Sequence, residues 1–267
     1  KNLLTLFSAF LLPLVMASCY HDNLILSEAE SIAHEGFTRA VKEQAEANGI
    51  TILSSSETSL VMELGVNSYS KHPVSINGKD YFTITAPEAH SMLQKGNPSL
   101  PEFSYNIVIP QTSACNVRVL DAEYEDIGLA VAPSKGSLPS NIDPSAIPYT
   151  FSEAYEKGAF FPSKLATADA PFLMRDVRGS VVRLHPFQYN PATGTLRVYK
   201  KMQVEVSFSG SDDRNVPSGV RHTIDKSMEE LFRKQFINYD VMHVHGPSRS
   251  TLCHTAPVMI RIGPRFQ

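Results

Sequence analysis

Between Gln203 and Phe208 the chain alternates without a break: Val204, Val206 and Phe208 are apolar, while Gln203, Glu205 and Ser207 are polar. A period of two puts one set on each face of a strand, the pattern of an antiparallel sheet with one buried and one wet face. Just upstream, RGSVVRLHPFQYN reads as one strand, NPATG as a turn and TLRVYKKMQVEVSF as the next strand. In the turn, Pro191 presets φ and Gly194 can take positive φ, so the two runs close as a hairpin.

The same rhythm begins near Leu60. LVMELGV, KDYFTITAP, FSYNIVIP and NVRVLDAEYEDIGLAVAP are short β-prone runs bounded by Gly, Pro, Asn or Ser. GNPSLPEF and KGSLPSNIDPSAIP are Pro-rich turns that stop strands. Hydrophobic residues make up 42% of the 267 residues and charged residues 19%, enough for a packed core. A net charge of −3 leaves no basic face for nucleic acid.

Two helices flank this region. Ser27–Ile50 opens with a capping box, Ser27 and Glu30, and carries Ala29, Ile32, Ala33, Phe37, Val41 and Ala45 at helical spacing, with Gly49 closing it after Asn48. A Ser/Thr-rich linker, Ser54 to Ser59, follows. After a polar linker from Ser209 to His222, TIDKSMEELFRKQFIN predicts a second helix, capped by Asp225, with Met228, Leu231, Phe232 and Phe236 along one stripe. The expected organisation is a signal peptide over 1–18, a helix and linker over 19–59, a β domain over 60–208, a linker and helix over 209–240, and an irregular tail over 241–267.

The N-terminus predicts export. Lys1, an apolar run from Leu3 to Met16 and then small residues have the form of a signal peptide. VMASC also has the form of a lipobox, which makes Cys19 a lipidation candidate; ordinary cleavage around Ala17 is the competing reading. Of the other cysteines, Cys115 reads as a small core residue in a strand, and with Cys253 it does not make a disulfide framework.

Reactive constellations are sparse. His243 and His245 would share one face of a strand, as metal ligands can, yet a solvated tail explains them as well. Cys253 and His254 are adjacent, and neighbours on a strand face opposite ways, which argues against a thiol–imidazole dyad. Asp176 and Arg178 read as an edge or cross-strand ion pair. GxGxxG, P-loop, HExxH and GxSxG patterns are absent from the sequence. The expectation is therefore no catalytic residue, no metal and no cofactor.

Five motifs occur in order: APSKG (Ala132 to Gly136), IPY (Ile147 to Tyr149), FFP (Phe160 to Pro162), PFLMRDVRG (Pro171 to Gly179) and QYNPATGTLRVY (Gln188 to Tyr199). Together they resemble the prodomain of gingipain-type cysteine peptidases, and a weaker likeness runs from about Leu60 to Tyr239. The resemblance implies a mainly β, antiparallel, β-sandwich-like prodomain, here with an N-terminal helix and a C-terminal helix. It also implies an intramolecular chaperone that keeps a peptidase catalytic domain latent by occluding its cleft. That catalytic domain is then the partner, and the membrane is touched only through a lipid anchor. The implied inhibitory loop follows APSKG: Ser137, Leu138, Pro139, Ser140 and Asn141; a plain surface turn is the alternative. Arg-specific members would want Arg at the loop's centre, and none stands between Gly136 and Asp143. Leu138 or Ser140 would fill a different pocket.

Processing would need exposed basic sites, for which Arg214, Arg221 and Arg249 are candidates. CHTAPVMIRIGPRFQ does not resemble a complete peptidase domain, so a fragment, a truncated product and a stand-alone unit all stay open. The competing functional reading is a free-standing surface lipoprotein, a β-sandwich adhesion or binding module. A hydrolase in its own right lacks a credible triad.

Overall fold

The computed structural model describes residues 48–217 and 226–244. The described chain is mainly β, and all its strand ladders are antiparallel. The strands are β1 (Gly49–Ser55), β2 (Ser59–Gly65), β3 (Ser70–Ile76), β4 (Lys79–Thr85), β5 (His90–Ser91), β6 (Pro101–Val108), β7 (Ser113–Gly128), β8 (Ala166–Ala168), β9 (Phe172–Met174), β10 (Val177–Leu184), β11 (Phe187–Asn190) and β12 (Thr195–Ser211). Two helices follow, α1 (Lys226–Gln235) and α2 (Tyr239–Val244).

β12 is the spine of the first sheet. One edge pairs with β2 and, nearer its start, with β11; the other edge pairs with β7, and β1 lies outside β2. Leu196, Val198, Met202, Val204, Val206 and Phe208 all turn inward, as the alternation requires. Tyr199 is buried as well, outside the core cluster that these residues join, against the Tyr124 ring with centroids 5.4 Å apart. The second sheet runs β5–β6–β10–β8, with β9 pairing the start of β10. Phe103 and Ile107 of β6 and Val182 and Leu184 of β10 join Leu60, Met62 and Leu64 of β2 in one contiguous core. Each such side chain contributes roughly 1.5–3 kcal/mol on full burial.

Several sequence expectations are corrected. The run read as one strand from Arg178 to Asn190 is two, β10 and β11, in different sheets. Pro186 lies at the break, and it has no N–H to continue a ladder. The expected N-terminal helix lies mostly outside the described residues, but its last positions are not helical. Asn48 is buried: its Oδ1 accepts from Asn67 N at 2.7 Å and Ser68 N at 2.8 Å, and its Nδ2 donates to Ser68 O at 2.7 Å. Gly49 then begins β1, and the expected Ser54–Ser59 linker is the tip of the β1–β2 hairpin. The β region thus starts at residue 49 and runs to Ser211.

At the C-terminal end, Phe232, Phe236 and Tyr239 form a second buried cluster with Phe172, Met174, Val177, Val108 and Met228. Leu231, expected in the same stripe, is 38% exposed. Residues 228, 232, 236 and 239 follow steps of four, four and three, and 231 falls off that line. The tail expected to be irregular from Val241 is helical through Val244.

Candidate functional site

The loop after APSKG stands on a buried strut. Val131 to Ser134 are buried, and the strut is bonded on both sides. Ala132 N donates to Phe82 O at 2.8 Å, Ser99 N to Ala132 O at 2.9 Å, and Ser134 N to Asn97 O at 2.7 Å. Tyr155 Oη adds a bond to Val131 O at 2.9 Å. At Gly136 the chain turns out with φ +83°, and a Cβ there would meet Lys95 Cβ at 3.0 Å, so the motif's glycine is needed for both conformation and space.

Beyond Gly136 the chain is exposed but ordered by its own contacts. Ser137, Pro139, Ser140 and Asn141 are exposed, and Leu138 is half-buried. Ile142 N donates to Pro139 O at 3.0 Å, closing a turn whose central residues are Ser140 and Asn141. Asp143 accepts from Ser145 N at 2.8 Å and from Ser145 Oγ at 2.6 Å, nucleating a 3-10 turn over Pro144–Ala146. Those bonds hold the Asp143 carboxyl below its ordinary pKa, with Lys135 adding a smaller attraction. Lys135 Nζ reaches back across the loop to Pro144 O at 2.6 Å and lies 4.3 Å from the centroid of the Tyr149 ring. APSKG and IPY therefore meet in space: the lysine of one is seated on the tyrosine of the other.

The remaining motifs also meet one another. Phe161 and Tyr189 exchange backbone bonds, Phe161 N to Tyr189 O at 2.9 Å and Tyr189 N to Phe161 O at 2.8 Å. Buried Gln188 donates to Pro162 O at 2.7 Å and accepts from Tyr199 Oη at 2.9 Å, so FFP is clamped by QYN. In the RDVRG motif, Arg178 is not an edge ion pair: it is 2% exposed and boxed by backbone carbonyls. Its Nη1 donates to Pro110 O at 2.8 Å and Ser113 O at 3.0 Å, its Nη2 to Asp212 O at 2.6 Å, and its Nε to Arg214 O at 3.1 Å. The Asp212 carboxylate lies 3.7 Å away. Asp176, expected in the same strand, falls in the turn between β9 and β10.

Arg214 is exposed, with its guanidinium on Asp212 at 2.6 Å, which pulls the Asp212 pKa down to about 2. Arg221, Arg249, Cys19, His245, Cys253 and His254 lie outside the described residues. His243 lies in a helix, α2, and not on a strand as the metal-ligand reading required. Cys115 sits in β7 against the core, and burial pushes its thiol up to about 11. Among the described residues, no group of three or more His, Cys, Asp and Glu is placed to hold a metal ion.

A groove of about 670 Å³ is lined by residues that include Glu102, Phe161, Pro162, Lys164, Arg183 and His185. His185 Nε2 lies 3.3 Å from Glu102 Oε2, and its Nδ1 has no hydrogen-bond partner. Neither ring nitrogen bonds a hydroxyl or thiol, so the groove holds no activated nucleophile on this histidine.

The Propeptide_C25 family model matches residues 41–244. Gingipain R1 and gingipain R2 of Porphyromonas gingivalis are each 36% identical over 157 residues, which is 58% of this chain and 16% and 21% of the relatives. Lys-gingipain of the same organism is 24% identical over 242 residues, covering 86% of this chain and 14% of the relative. The chain thus spans a small part of its curated relatives' length. Among solved structures, the complex of Porphyromonas gingivalis RgpB pro- and mature domains superposes with a TM-score of 0.66 at 30% identity, covering 72% of this chain and 97% of that one. A structure bearing on zymogenic latency of gingipain K shares the fold, with a TM-score of 0.53 at 22% identity over 62% of this chain and 94% of that one. The described β body, the contacts between its motifs and these matches lead to one assignment: the chain belongs to the Propeptide_C25 family, the non-catalytic propeptides of gingipain-type cysteine peptidase precursors.

Proposed function

We propose that this chain keeps a gingipain-type catalytic domain latent by seating the loop Ser137–Asn141 in its active-site cleft, and that it templates that domain's folding. The observation that carries the reading is the loop itself: exposed at its tip, closed by its own hydrogen bonds, and rooted in a buried strut. A segment already held in one conformation loses little entropy on docking. The two sheets share one core, which favours a sandwich-like scaffold stiff enough to present it.

The reading extends to the flanks. Residues 1–18 direct export, Cys19 is the lipidation candidate, and Arg214, Arg221 and Arg249 are the places for processing cuts. Palmitate-analogue labelling of the wild type against Cys19→Ala tests the anchor.

The central test is a titration of the full chain against gingipain-type catalytic domains, beside a variant with Ser137–Asn141 replaced by glycines. Slow-dissociating, nanomolar inhibition that the glycine variant loses supports the plug. Equal inhibition by both chains, or none by the wild type against any such enzyme, refutes it. Refolding yield of a denatured catalytic domain with and without the chain tests the templating role.

A further inference from the structure

We infer that the cleft fitted by this chain accepts a small, uncharged polar side chain in its main specificity pocket, so that the partner peptidase cuts after residues of that class and not after Arg or Lys. This rests on the plug reading and adds the substrate class to it.

The loop tip is the turn from Pro139 to Ile142, and its two central side chains, Ser140 and Asn141, are both exposed. Leu138 is half-buried and so is poorly placed to enter a partner's pocket. From Gly136 through Glu156 the sequence contains no Lys or Arg. The nearest base along the chain is Lys135, whose ammonium is bonded to Pro144 O at 2.6 Å and seated on Tyr149, while Lys95 lies beside Gly136 at the root of the loop and not at its tip. The Lys135 ammonium cannot reach the tip without breaking both contacts.

A pocket that selects Arg or Lys must hold a carboxylate or an equivalent acceptor at its base. Covering that group with a serine or asparagine would strip its water and return no cation, a heavily penalised arrangement. Such an enzyme would hold this loop weakly. A small neutral pocket gains from the same tip, because a hydroxyl or an amide can complete its hydrogen bonds without an unpaired charge.

The test uses the full chain against the catalytic domain of gingipain R2 acting on a fluorogenic substrate with Arg before the scissile bond. Wild type, Ser140→Arg, Asn141→Arg and the glycine-loop variant are compared for inhibition and, by interferometry, for binding. The expected result is weak inhibition by the wild type and a gain of about 100-fold or more in at least one Arg variant, on the scale that charge-matched pockets discriminate. Tight inhibition by the wild type that neither Arg variant improves and the glycine variant abolishes overturns the substrate class and leaves the plug standing. Tight inhibition that the glycine variant keeps overturns both. No inhibition by any chain overturns the substrate class, and if the chains nevertheless bind the enzyme it overturns the plug too.

Discussion

Phe236 lies so close over Gly179 that a Cβ on the glycine would sit 2.6 Å from Phe236 Cε1, 2.9 Å from Phe172 Cζ and 3.0 Å from the Ile107 carbonyl. The Phe172 and Phe236 rings stack 14° from parallel with centroids 6.0 Å apart. The last residue of RDVRG is thus a floor for the C-terminal helical segment. Asn238 fixes the same junction, accepting from Val108 N at 2.7 Å and donating to Val108 O at 3.0 Å.

Gly179→Ala should therefore lift the helices off β10 and cost roughly 1–3 kcal/mol by overpacking. Gly128→Ala is the control, since a Cβ there has open space. Urea unfolding of both variants checks the pair; a Gly179→Ala midpoint equal to wild type would refute the contact.

Arg178→Met should destabilise by roughly 3 kcal/mol, because it leaves up to four backbone carbonyls without their buried donor. Arg178→Lys should recover only part of this, since an ammonium lacks the planar fork that spans those acceptors. Thermal unfolding of the three proteins tests the order wild type above Lys above Met.

Stability should fall on mild acidification. Burial pushes His185 below its ordinary pKa, and the attraction of Glu102 offsets that only in part, with Arg183 adding a further lowering. The folded state therefore binds the proton less readily than the unfolded one. This contribution is full above about pH 6.5 and is lost as pH drops through the lower folded value. His185→Gln should flatten the decline in urea midpoint between neutral pH and mildly acidic pH; an unchanged slope would contradict it.

Lys135→Met should loosen the loop without unfolding the body. Hydrogen exchange at Ile142, Ser145 and Ala146 should quicken several-fold, while the global midpoint shifts by under about 0.5 kcal/mol, as for other exposed polar contacts. Protection unchanged at those amides would mean that the ammonium is not what holds the loop.

Much of the strand content was legible because one face of a sheet leaves a period of two. β2, β4, β6, β7 and β12 fall where that alternation and their Pro or Gly borders predict. β3 carries Pro73 and mostly exposed side chains, so its alternation is blurred. Its hairpin signal is nonetheless present in Asn77–Gly78, both with positive φ. β1 hid behind a helical pattern that continued up to Asn48.

The local chain determined its alternating strands, the NPATG turn, the apolar stripe of Phe232 and Phe236, and a stretch after Gly136 without basic residues. These follow from side-chain period and backbone allowance, which act over a few neighbours. Tertiary structure alone decided that Arg178 is a buried clasp, that Gly179 is a floor for Phe236, that Pro186 parts two sheets and that Lys135 is folded back onto Tyr149. Each depends on groups beyond a residue's immediate neighbours meeting in space, and no local pattern encodes which carbonyl or ring will be there when the chain closes.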